Sequence, residues 1–130
     1  MNKILRISMI AVLALIANFS FAGVSTIDFT KLAVKTVSDE NNKENNGYTF
    51  TSGDFTFTAK KNNGQTAPTQ NTNSKDLRHY AKNSITISGA KMTKMVFTIS
   101  NAGKSRWAKV TASEGTMTVD QTKGTATWEN

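Results

Sequence analysis

Apolar and polar residues alternate with a period of two over most of this chain. Tyr48-Thr49-Phe50-Thr51 and Asp54-Phe55-Thr56-Phe57-Thr58 alternate aromatic rings with polar residues, and Ser84-Ile85-Thr86-Ile87-Ser88 repeats the pattern with isoleucine. Lys94-Met95-Val96-Phe97-Thr98-Ile99 reads as a more buried strand, and Thr116-Met117-Thr118-Val119 and Thr125-Ala126-Thr127-Trp128 complete the series. In each segment one face is apolar and the other rich in hydroxyls, as in a strand with a core on one side and water on the other. The β-branched and aromatic residues also suit a pleated surface.

Turn residues fall between these runs: Asn46-Gly47, Ser52-Gly53, Asn63-Gly64, Gly89, Gly103, Gly115 and Gly124. Short strands at this spacing predict an antiparallel all-β sandwich or barrel. Residues 38–46 and 62–75 are polar, rich in Asn, and read as loops. The β-branched content of residues 27–37 favours strand over helix.

The first 22 residues break the pattern. Lys3 and Arg6 precede an apolar run, and Ser20-Phe21-Ala22 supplies small residues where a signal peptidase reads. We expect a signal-peptide helix over residues 1–22, cleavage after Ala22, and one domain over residues 23–130. The run is short for a membrane anchor, and Asn18 and Ser20 interrupt its end, so contact with membrane is expected only in transit. The mature product is then secreted, periplasmic or held at the cell surface. The chain has no cysteine, which excludes disulfides, thiolate catalysis, Cys-ligated zinc and a lipoprotein anchor. The net charge is +7; losing Lys3 and Arg6 lowers it to +5. The remaining basic residues are scattered, which fits a solvated surface better than a nucleic-acid partner.

Ala67-Pro68, Asp76-Leu77-Arg78-His79-Tyr80-Ala81-Lys82-Asn83, Ser84-Ile85-Thr86-Ile87 and Lys91-Met92-Thr93-Lys94-Met95-Val96-Phe97-Thr98 form a combination, followed by Gly115-Thr116 and Thr127-Trp128. It resembles a recurring domain of secreted Bacteroidales proteins. The resemblance implies a jelly-roll-like β-sandwich of unassigned function. It also implies a further strand after the Trp motif, so we expect a sandwich lacking its last strand, with an open edge.

His79 is the only histidine, and no nucleophile elbow or metal-binding motif accompanies it. We therefore expect no enzyme, cofactor or metal. Arg78 and Tyr80, two apart, share a face if they lie on one strand. Exposed, they make a polar-aromatic binding spot; buried, Arg78 pairs with Asp76 or Asp54 and Tyr80 packs. Arg106-Trp107, beside Lys104 and Lys109, is the other candidate, since sugar rings and bases stack on exposed aromatics. Trp128 shares a face with Ala126 and is expected in the core. Asp39, Glu40 and Glu44 lack the spacing of a calcium loop. The expected function is an exported, non-catalytic module that binds polysaccharide or another cell-surface component. The alternative is an assembly protein whose open sheet edge pairs with a partner or a second copy.

Overall fold

The structure, a computed structural model, describes the backbone of residues 5–7, 13–16, 22–106 and 109–130, and side chains from residue 26 onward except at 107 and 108. In chain order the strands are β1 (Leu5–Ile7), β2 (Leu13–Ile16), β3 (Ala22–Ser25), β4 (Lys35–Val37), β5 (Gly47–Ser52) and β6 (Phe55–Lys60). They continue with β7 (Thr69–Gln70), β8 (Leu77–His79), β9 (Ser84–Ser88), β10 (Lys94–Thr98), β11 (Thr116–Asp120) and β12 (Thr125–Glu129). The one α-helix among the described residues is short, Asn101–Lys104.

Two antiparallel sheets make the body of an all-β sandwich: β4-β5-β6-β9 and β10-β12-β11. Smaller sheets, β1-β8-β7 and β2-β3, flank them. The helix expected over residues 1–22 falls largely outside the described residues; the described backbone within that stretch is strand at β1, at β2 and at Ala22.

The alternation seen in the sequence becomes the core directly. Tyr48 and Phe50 of β5, Phe55, Phe57 and Ala59 of β6, Met95 and Phe97 of β10, and Ala126 of β12 are all buried in one cluster. Burying each large side chain contributes roughly 1.5–3 kcal/mol. Phe50 and Phe57 face each other across the β5–β6 ladder and stack with ring centroids 4.5 Å apart.

Residues 27–37, expected as strand, divide. A 3-10 turn at Phe29–Lys31 precedes β4. Asp28 starts the turn by accepting hydrogen bonds from the Thr30 amide (3.0 Å) and hydroxyl (2.6 Å), which also hold its carboxyl below the usual range. The turn drops Phe29 into the core, edge-on to Phe50 and Phe57 at 5.2 and 5.8 Å.

The polar stretch 62–75 is less loose than its composition suggests. Pro68 is buried, and the Gln70 side-chain amide donates to the carbonyls of Phe29, Leu32 and Lys75. The Asn-rich segment near Asp39 keeps its loop character. Asp39 accepts from the amides of Asn42 and Asn41 and from the Asn45 side chain, and these bonds lower its carboxyl pKa. Among the described residues no acidic or His cluster is arranged to hold a metal.

Candidate ligand cleft

The side-chain pattern of β8 decides what the Leu-Arg-His-Tyr motif does. Leu77 and His79 point into the core while Arg78 lies on the opposite face, half-buried. His79 Nε2 and the Tyr48 hydroxyl are 2.5 Å apart, and one hydrogen bond joins them in either tautomer of the neutral ring. Burial pushes the His79 pKa down to about 4 and raises that of Tyr48. A neutral imidazole locked to a buried phenol is a packing element, not a free base.

After His79 the chain leaves the sheet. Tyr80 lies beyond the end of β8, so it does not share a strand face with Arg78, contrary to expectation. The reason is the Asn83 side chain. It accepts from the Tyr80 amide at 2.8 Å and donates to the carbonyls of Thr66 (2.9 Å) and Lys61 (3.2 Å). This latch closes a turn that puts Lys82 in the left-handed region, at φ 67°. Arg78 makes no ion pair with Asp76 or Asp54 among the described residues, and its buried Nε has no hydrogen-bond partner there.

The turn leads into β9, and beside β9 runs a cleft of about 800 Å³. One wall is residues 79–87 and the other is the non-strand segment 109–114. Its floor is apolar: Met92, Met95, Phe97, Met117 and Trp128. The register sets Trp128 between Met95 of β10 and Met117 of β11, a row of two thioethers about one indole. Tyr80 and Lys82 border both this cleft and a smaller hollow of about 170 Å³ beside residues 63–66.

Trp128, expected in the core, is only half-buried. It shares its strand with fully buried Ala126, but its indole packs at the margin of the core and borders the cleft. Its Nε1–H donates to the Glu114 carbonyl at 2.6 Å, which ties the 109–114 wall to the sheet. Gly115 makes that contact possible. Its φ is +70°, and a Cβ there would lie 2.8 Å from Trp128 Nε1 and 2.4 Å from the Glu129 carbonyl oxygen. We expect Gly115→Ala to cost about 2 kcal/mol in urea unfolding, through left-handed strain and overpacking. An unchanged midpoint would contradict the placement of this wall.

Of the three expected site residues that the structure describes, Arg78, Tyr80 and Arg106, the cleft gathers Tyr80 alone. Arg106 is exposed just after the short helix and does not line the cleft. Trp107 lies outside the described residues. Met92, Met117 and residues 110–114 carry no site signal in the sequence, Lys109 was grouped with Arg106-Trp107, and Trp128 was expected in the core. The alternation put Met117 and Trp128 on apolar faces, but nothing local pairs β10 with β12 across the 26 intervening residues. No protein-family model matches this chain, and no curated protein or solved structure gives a match.

Proposed function

We propose that the domain is an exported, non-catalytic binding module whose ligand, a glycan or another cell-surface component, lies in the cleft beside β9. The observation that carries this reading is the cleft's composition. Its volume, about 800 Å³, falls in the range of ligand sites, roughly 300–1,000 Å³. Its floor is apolar and aromatic, and Thr86, Thr111 and Ser113 place hydroxyls around it. An apolar, aromatic floor in a cleft that also holds hydroxyl-bearing residues suits a ligand with flat apolar faces and polar edges, as a sugar ring has. Export rests on the basic, apolar and small-residue order of residues 1–22, and kinship with the Bacteroidales domain rests on the motif already described.

The assembly reading has its own support. β9 is the outermost described strand of its sheet, and its open edge lies in the same cleft as Trp128.

Affinity electrophoresis of the exported protein through gels containing different polysaccharides tests the binding reading. We expect retardation on at least one glycan, weakened about tenfold by Trp128→Ala, a loss of roughly 1.4 kcal/mol. Trp107→Ala, run alongside, probes the stacking residue expected from sequence. Loss of binding with Trp107→Ala and not with Trp128→Ala would move the site to the Arg106 region. No retardation of a folded protein on any gel would remove glycans as the ligand.

A further inference from the structure

We infer that the cleft is built to take an extended polypeptide strand, added to the free edge of β9, with apolar side chains alternating with acidic ones. This names the ligand class of the cleft and rests on the cleft being the binding site.

The first observation is which residues line it. A ligand lying on the face of a strand meets alternate residues, because successive side chains point to opposite faces. Here residues 82–87 all border the cleft without a gap. What faces the cleft is therefore the edge of β9, with its backbone groups. β9 is laddered to β6 on its other side, and no further backbone hydrogen bond reaches Ser84–Ser88 among the described residues. An open edge is a template for one more strand, whose main chain supplies affinity while its alternate side chains supply specificity.

The second observation is the opposite wall. Residues 109–114 also border the cleft without a gap and are not in a sheet. The slot thus has a sheet edge on one side and irregular chain on the other. That arrangement suits a single strand and hinders docking by a whole second sheet. Below lie Met92, Met117 and the Met95–Trp128 row, a soft apolar floor that adapts to varied side chains.

The third observation is charge. Lys82 and Lys109, one on each wall, are exposed and take part in no ion pair among the described residues. Among the described residues Glu114 is the only acidic side chain bordering the cleft. Against the two lysines it leaves the side-chain charge positive, as in the chain as a whole. A strand with carboxylates on its outward positions complements both lysines, and one with basic side chains does not.

The probe is a short capped peptide of alternating valine and glutamate, titrated calorimetrically into the exported protein. Its companions are the same peptide N-methylated at alternate residues in either register, and a valine–lysine version. We expect the parent peptide to bind. N-methylation in one register should weaken it at least about tenfold, and in the other much less, because only one set of amides faces β9. The valine–lysine peptide should bind more weakly than the valine–glutamate one. Lys109→Glu, an exposed change that leaves the core untouched, should reverse that preference.

Equal affinity of both N-methylated peptides would overturn strand addition. Failure of the peptide on a protein that still binds a polysaccharide through Trp128 would overturn the ligand class and leave the binding module standing. Failure of both would remove the cleft as a site. Concentration-dependent dimerisation that excludes the peptide would make a second copy the occupant and overturn the inference as stated.

Discussion

Lowering the pH from 6.5 to 4 is expected to weaken the fold by about 3 kcal/mol through His79 alone. In the folded chain the imidazole is buried and stays neutral down to about 4; in the unfolded chain it takes up a proton near 6.5. Between those values the unfolded state binds the extra proton, so stability falls as pH falls. Above 6.5 the contribution is fully present, and below about 4 the loss is complete. The lowered carboxyls of Asp28 and Asp39 act in the same direction, but chiefly at and below their ordinary value of 3.8. Urea midpoints measured across this window check the prediction, with His79→Gln as the comparison. That variant should be less stable near neutral pH and nearly flat between 6.5 and 4. An equally steep slope in His79→Gln would mean that another group carries the acid sensitivity.

The second large effect is expected at Phe57. Its ring is fully buried, stacked on Phe50 at 4.5 Å and met edge-on by Phe29 at 5.8 Å. Phe57→Ala removes the partner of both rings and leaves a cavity that the two ladders of β6 hold open. The cost is about 3–5 kcal/mol. Domains of this size are stable by roughly 5–15 kcal/mol, so most of the margin goes. Phe57→Leu, which keeps much of the apolar volume, should lose clearly less. Thermal or urea unfolding followed by circular dichroism separates the three proteins. A Phe57→Ala loss under about 1 kcal/mol would contradict the placement of this ring at the centre of the core.

The strands were legible because each carries its own signal. The alternations at residues 48–51, 54–58, 84–88, 94–99, 116–119 and 125–128 each match an observed strand, with only Asp54 and Ile99 falling outside. The turns were legible in part: Gly53, Gly89, Gly115 and Gly124 take positive φ where a turn was expected, whereas Gly47 opens β5 and Gly103 lies in the short helix. What a period of two leaves out is partnership. It says that Trp128 has an inward face, but not that Met95 and Met117 flank it or that Glu114 caps it. It says that His79 lies on a strand, but not that Tyr48, 31 positions away, takes its ring into the core.

Arg78 and Tyr80 were grouped by a spacing that holds only while the strand continues. The strand ends at His79, and the next amide, that of Tyr80, is taken by the Asn83 side chain; side-chain-to-backbone bonding of that kind is invisible to periodicity. The cleft was the least legible feature. Its walls come from β9 and from a segment without any repeat, brought together by two sheets that do not pair with each other.

That the cleft beside β9 is where this domain binds is open to a direct measurement. Amide hydrogen exchange of the protein can be followed by mass spectrometry, alone and with the valine–glutamate peptide or with a polysaccharide that retards it. The account predicts slower exchange confined to residues 82–87 and 109–114, where the two walls meet the ligand. Binding with protection around Arg106 and none along β9 would contradict it.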